Sequence, residues 1–330
     1  MHHCTYPCAA SALCALVRLY FTFSENNVIL FLILMRKNIY GEMSFMGKAV
    51  QKIAMAGVAA VASTALGGVL YRHMRYKRIK PKALKHFPEL MPNNEREIHL
   101  TAHRGLSAVY PENTALAFEA AGQAGFYALE CDTHCTTDGT WVILHDGQIK
   151  TMFDGTGDVK SYSYEEMLQK KMTNGANIDK YPEAHICTLQ EYIDICKKYG
   201  CRPMIEVKDK RIEKMQSLYD MLVQNDILES CIIISFHISV LRALYALNEN
   251  LEMWYLIEYI SDKKLREAKE CGNAGIAFCA QYNAPRPDAI QKIHDNGLTA
   301  ACWTVDSKDL LEKMMDCGVK YITTNSILPE

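Results

Sequence analysis

Downstream of residue 97 the chain beats regularly between short apolar runs and longer amphipathic stretches. The runs His99–Ala102, Tyr127–Leu129, Trp141–Leu144, Pro203–Val207, Cys231–Phe236, Leu251–Ile257, Gly275–Ala280, Thr299–Val305 and Tyr321–Thr324 are apolar almost throughout. Strands covered on both faces read this way, whereas half-exposed strands alternate. Between them Ala115–Ala124, Leu189–Tyr199, Ile212–Gln224, Ser239–Leu247, Asp262–Glu270, Pro287–Asn296 and Lys308–Cys317 carry helical spacing. Strand and helix in alternation predict a parallel sheet covered by helices. The runs number one more than an eight-stranded closed barrel needs, and the pattern does not single out the supernumerary one. Asn113 or Thr114 is the expected N-cap of the first helix, with Glu112 and Asn113 also at the rim of a barrel mouth. Residues 147–187 predict a large loop over that mouth. Its Phe153, Tyr162, Tyr164 and Tyr181 are expected mainly to pack the loop, with contact to a ligand as a second use.

The amino-terminal third follows other rules. In residues 1–45 the run Ala9–Phe23 is broken by Arg18, and Val28–Met35 falls short of the ~20 residues that cross a bilayer. From Met46 the text becomes MGKAVQK, the uncharged stretch Ile53–Tyr71, and then RHMRYKRIKPK. We therefore expect translation to begin at Met43 or Met46, residues 46–80 to form a membrane-anchor or signal-like helix with a basic flank, 81–97 a linker, and 98–330 the barrel. Cleavage near Ala60–Ala62 or Ser63–Ala65 and a soluble Ala-rich helix are the alternatives. An apolar run that continues through Val69–Tyr71 favours an uncleaved anchor. Only Lys48 and Lys52 precede that stretch, while Arg72, Arg75, Lys77, Arg78, Lys80, Lys82 and Lys85 follow. The positive flank usually stays inside, which puts the downstream domain on the cytoplasmic side, with an extracellular domain as the alternative.

Composition narrows the class. With 330 residues, 49% of them apolar, the chain can bury one large core beside its leader. A formal net charge of −2 argues against a nucleic-acid surface. The 13 cysteines are scattered, without a CxxC, and Cys131, Cys231, Cys279 and Cys302 lie in apolar runs. They read as buried free thiols rather than a disulfide framework.

Chemistry gathers where apolar runs end. His103-Arg104, Glu130-x-Asp132, His145-Asp146 and Glu206-x-Lys208 each stand at such an end. Side chains alternate across a strand, so Glu130 and Asp132 share a side and Cys131 takes the other. Paired acids repel unless a cation sits between them. Arginine presents a planar fork to phosphate, and histidine exchanges protons near neutral pH. Together they fit metal-assisted phosphoester cleavage. A zinc site from Cys131, His134 and Cys135 is disfavoured, because alternation turns Cys131 away from the acids. Trp303 and Phe236 offer a flat apolar wall to substrate, or belong to the core. His134 and His185 have no evident partner, and His237 and His294 read as peripheral.

As an ordered series, His103-Arg104-Gly105, Pro111-Glu112-Asn113-Thr114, Glu130-x-Asp132, Thr137-Asp138-Gly139, His145-Asp146, Thr188-Leu189 with Glu191, Glu206-x-Lys208, Ser235-Phe236 and Trp303-Thr304-Val305 resemble the glycerophosphodiester phosphodiesterases. The resemblance covers about residues 97–326. It implies a (β/α)8 TIM barrel of the phospholipase C-like phosphodiesterase type, hydrolysing a small glycerophosphodiester to glycerol 3-phosphate and an alcohol with Ca2+ or Mg2+. By motif, Glu130, Asp132 and Glu206 would hold the metal, His103 and His145 would be the acid–base pair, and Arg104 and Lys208 would bind phosphate. Attack by the substrate's own 2-hydroxyl, giving a cyclic phosphate that water opens, would be a first step. Two positions depart from the family pattern: Lys150 stands where an arginine is usual after His-Asp, and Thr324-Asn325-Ser326-Ile327 where Thr-Asp-x-Pro is usual. Asn325 carries no charge to replace that aspartate. The competing readings are a barrel enzyme acting on lysophospholipids or phosphatidylinositol at the bilayer, and an inactive membrane-tethered binding module.

Overall fold

A computed structural model describes residues 89–90, 96–272, 274–283 and 286–329. All of them belong to the compact unit Ala83–Glu330. The leader, the start site and the anchor helix expected in 1–80 lie outside the described residues, as does most of the linker. No helix among the described residues is long and apolar enough to cross a membrane.

The strands of the main sheet are β1 (His99–Ala102), β2 (Ala128–Cys135), β3 (Trp141–Ile143), β4 (Cys187–Thr188), β5 (Arg202–Val207), β6 (Ile232–Ser235), β7 (Met253–Ile257), β8 (Ala274–Cys279), β9 (Thr299–Trp303) and β10 (Tyr321–Thr324). Eight of them, all but β3 and β4, run parallel in the order β1-β10-β9-β8-β7-β6-β5-β2, and β2 pairs back onto β1 to close a barrel. Around it the main helices are α1 (Ala115–Gln123), α2 (Leu189–Tyr199), α3 (Met215–Gln224), α4 (Ile238–Leu247), α5 (Asp262–Lys269), α6 (Pro287–Asp295) and α7 (Lys308–Asp316). Local chemistry sets their ends. Thr114 accepts from the Ala117 amide to cap α1. Thr188 and Glu191 form a capping box on α2, which Gly200 closes in the left-handed region at φ 67°.

Burial explains the apolar runs. The barrel interior is filled by Met204, Ile232, Ile234, Trp254, Leu256 and Ala301 among others, while a larger layer packs strands against helices. Trp254 lies in the interior because β8 offers Gly275 opposite it: a Cβ there would come within 2.5 Å of the indole. The lower end is closed by Arg202, which donates to Glu252 at 2.7 Å and to the Tyr127 hydroxyl at 3.0 Å.

The supernumerary run is Trp141–Leu144. The sequence pattern placed it with the parallel strands, whereas β3 lies antiparallel on the far end of β2 and carries β4 on its other edge. The reason is the length of the link. Parallel neighbours need a crossover of about a dozen residues or more, but only a turn separates β2 from β3, closed by the Thr136 amide on the Thr140 carbonyl at 2.9 Å. Residues between β3 and β4 form a cap with its own core of Val142, Leu144, Ile149, Phe153, Met167 and Ile186. Tyr162, Tyr164 and Tyr181 pack onto that core. The cap is fastened to the loop after β1 by Asn177, whose amide donates to the Val109 carbonyl at 2.9 Å, and by Tyr181 against Tyr110.

That loop turns on Gly105, which has φ 75° and no room for a side chain: a Cβ would stand 2.6 Å from the Ala117 carbonyl carbon. Gly105→Ala should cost roughly 2 kcal/mol or more, since left-handed backbone and a backbone clash add. Urea unfolding should show a lower midpoint at unchanged slope; a midpoint equal to wild type would contradict this.

Candidate active site

The carboxylates come from two strands that are neighbours in space but not in sequence. On β2, Glu130 and Asp132 point inward together, and the parallel register sets Asp132 beside Glu206 of β5. All three are buried, and one oxygen from each lies within 4.8 Å of the others. Burial and the negative neighbours Asp132 and Glu206 push the Glu130 carboxyl well up. Burial also raises Glu206, to about 7, against the pull of Lys208. Asp132 goes the other way: burial opposes its charge, but Lys208 and Arg104 outweigh burial and hold it well below the usual range.

The two cations reach the acids from just past β5 and from the loop after β1. Lys208 lies 2.8 Å from Glu206 and 3.1 Å from Asp132. Arg104 lies 2.9 Å from Glu112 and 3.2 Å from Asp132. Its backbone is left-handed, φ 57°, a conformation that costs a non-glycine residue about 1–2 kcal/mol. That turn lets the Arg104 amide donate to Glu130 at 2.9 Å. Asn113, also left-handed at φ 59°, donates from its side chain to Asp132 at 2.8 Å. Even so, Asp132 Oδ1 and Arg104 Nε are buried without an aligned hydrogen bond. Three converging buried acids suit an oxygen-seeking divalent cation, and Glu130, Asp132 and Glu206 are the residues that would hold it.

Both imidazoles stand at the same mouth. His103 follows β1, and its Nδ1 is 2.7 Å from the Asn325 amide oxygen. Burial, then the Arg104 charge, lowers its pKa to about 3, so the ring is neutral near physiological pH. His145 follows the antiparallel strand β3 and returns to the mouth because the Leu144 amide binds the Asp132 carbonyl at 2.9 Å. Its Nδ1 meets Asp146 at 2.9 Å. His134, one step beyond Asp132 on the same side of β2, sends Nε2–H toward the His145 carbonyl at 3.5 Å. It thereby supports the His145 segment, a partnership invisible in the linear pattern.

Phe236 and Trp303 meet edge to face at 5.5 Å on the mouth wall, with the Lys208 ammonium 6.0 Å from the Phe236 ring centre. Cys131 is buried in the outer layer, away from the acids. Lys150, in place of the usual arginine, sits exposed in the cap. Asp306 was not singled out by the sequence pattern. It follows β9 and donates its negative charge to the neighbourhood of Asn325, whose side-chain nitrogen it accepts at 2.7 Å. The signal that could have found it is position alone: an acid just past the end of a barrel strand.

A barrel whose carboxyl-terminal mouth joins an acidic cation cradle to an arginine, a lysine and two imidazoles is built for a hydrolase of phosphoric diesters. The sequence model of the glycerophosphoryl diester phosphodiesterase family matches residues 103–328. This chain belongs to that family of enzymes. It is 29% identical over 230 residues to a glycerophosphodiester phosphodiesterase of Caldanaerobacter subterraneus, spanning 68% of this chain and 92% of that protein. It is 24% identical to glycerophosphodiester phosphodiesterase 1 of Bos taurus, spanning 79% and 87%. Among solved structures, a glycerophosphodiester phosphodiesterase from Parabacteroides distasonis matches with TM-score 0.59 at 26% identity, over 69% of this chain and 93% of that one. An Oleispira antarctica phosphodiesterase in complex with sn-glycerol-3-phosphate matches with TM-score 0.64 at 24% identity, over 69% and 93%.

The raised Glu206 carboxyl would make cation binding here pH-dependent. Below about 7 it carries a proton that an incoming cation must displace. Titration calorimetry should therefore find Mg2+ or Ca2+ affinity falling from pH 8 to pH 6, by up to about tenfold per pH unit for each proton displaced. Equal affinity across that range would mean that these carboxylates are not the ligands.

Proposed function

We propose that the chain hydrolyses glycerophosphodiesters to glycerol 3-phosphate and an alcohol, using a divalent cation on Glu130, Asp132 and Glu206 and proton transfer by His103 and His145. The observation that carries the reading is the convergence of the three carboxylates, two cations and two imidazoles on one mouth of the family's barrel. A bound divalent ion would supply positive charge for a phosphate oxygen and for a glycerol hydroxyl. Arg104 and Lys208 then face the phosphoryl group and offset the negative charge that grows on it.

His103, neutral and with its Nδ1 side engaged, presents Nε2 as the proton acceptor. His145, backed by a carboxylate, is the proton donor. In the first step His103 takes the proton of the glycerol 2-hydroxyl as that oxygen attacks phosphorus. The bond from phosphorus to the alcohol breaks, and His145 protonates the departing oxygen. Water then opens the cyclic phosphate with the two roles reversed. Phe236 and Trp303 form the flat side against which the glycerol carbons lie. The oxygen-only ligand set suits Ca2+ and Mg2+ alike. The basic-flanked apolar segment within 46–80 supports tethering to a membrane with the barrel on the cytoplasmic side.

His103→Ala and His145→Ala should each lower kcat by about 10²-fold or more while leaving the circular dichroism spectrum unchanged. Choline release from glycerophosphocholine, with added Mg2+ or Ca2+ and again with chelator, tests the cation. The same assay on a lysophospholipid tests the bilayer-lipid alternative. Turnover that survives both chelation and loss of either histidine would overturn the reading.

A further inference from the structure

The segments after β9 and β10 meet behind His103, away from the carboxylates. Val305 is held to β10 by its amide on the Thr323 carbonyl at 2.9 Å, which brings Asp306 against Asn325. One Asp306 oxygen accepts from the Asn325 backbone amide at 2.7 Å and from the Thr324 hydroxyl at 3.2 Å. The other accepts from the Asn325 side-chain nitrogen at 2.7 Å. On its far side the Asn325 amide oxygen lies 2.7 Å from His103 Nδ1 and 3.0 Å from the Ser107 hydroxyl.

These contacts leave one consistent assignment of hydrogens. A carboxylate only accepts, so Asp306 must face the NH2 group of Asn325. The amide oxygen is thereby turned toward the ring, and it too only accepts. Hence His103 Nδ1 must carry the hydrogen, and in the neutral ring Nε2 is left as a bare lone pair. Asn325 alone could not impose this, because its two ends differ by little more than a rotation. The orientation comes from the group behind it.

We propose that Asp306 is a positioning residue: acting through Asn325, it locks His103 in the tautomer with hydrogen on Nδ1 and so keeps Nε2 ready to accept a proton. The inference deepens the proposed function and rests on His103 being the acceptor. It also accounts for the uncharged residue at 325, since the negative charge sits one link further back, on Asp306.

Asp306→Asn keeps the shape but presents a donor as well as an acceptor, so the Asn325 amide is free to turn. In the full-length protein with Mg2+, this variant should lower kcat about tenfold to a hundredfold with KM within about twofold. The 15N spectrum of the His103 ring should move from the Nδ1–H pattern toward Nε2–H. Asp306→Asn combined with Asn325→Asp puts a carboxylate directly against Nδ1–H, and should recover both the turnover and the Nδ1–H pattern. A merely structural Asp306 would not be rescued this way. The inference is overturned if Asp306→Asn leaves the ring in the Nδ1–H form, whatever its activity, or if the double variant restores neither property. Should His103→Ala retain wild-type turnover, the proton-acceptor reading falls instead, and the nitrogen spectrum still decides the tautomer by itself.

Discussion

Three carboxylates buried within 4.8 Å of one another are the constraint on which the remainder of the mouth depends. Two unit charges at about 5 Å repel by about 3 kcal/mol at an effective dielectric of 20. Three such pairs approach the roughly 5–15 kcal/mol that holds a whole domain together. The ionised trio therefore cannot stand alone. Arg104 and Lys208 offset part of the repulsion and keep Asp132 ionised, but at Glu130 the charge and amide of Arg104 do not outweigh burial and the acidic neighbours, which push that carboxyl toward the protonated form. The cluster is one positive centre short, which is the electrostatic reason to expect a divalent cation there.

The barrel makes such a costly arrangement affordable by distributing it over separate, rigid elements. Glu130 and Asp132 need only the alternation of β2, and Glu206 needs only the register between β2 and β5. Arg104 reaches the trio through a left-handed turn that Gly105 and the α1 backbone hold in place. His145 has no barrel strand to carry it. It arrives on the antiparallel arm β3, and the cap between β3 and β4 is the consequence, since the outer face of that arm needs its own apolar cover.

How much was legible in the linear text follows from the range of each interaction. Helical spacing and burial on both faces of a strand are local signals, so the helix Leu189–Tyr199 and the strand Tyr321–Thr324 are found at the expected residues. The convergence of Glu130, Asp132 and Glu206 was legible too, because alternation fixes the side of a strand and strand ends in a parallel barrel share one face. The direction of β3 was not, since apolar content reports burial and not polarity; the shortness of the turn at Thr136–Gly139 is what excludes a parallel neighbour. Asp306 escaped for a deeper reason. Its meaning lies in hydrogen bonds among residues 103, 306 and 325, which no local pattern encodes.

The surroundings of the two imidazoles differ in a way that bears on the division of labour proposed for them. His145 has a carboxylate directly on Nδ1 at 2.9 Å, and that contact orients the ring. His103 has an amide oxygen there, with the carboxylate held one group back. An amide oxygen fixes where the hydrogen sits without adding a contact charge, and burial beside Arg104 keeps the ring neutral. The two rings are thus oriented by different groups, an acid at His145 and an amide at His103. Replacing Asn325 by an aspartate while retaining Asp306 would set two carboxylates against each other behind His103, so in this chain the neutral residue at 325 and the acid at 306 make physical sense only as a pair.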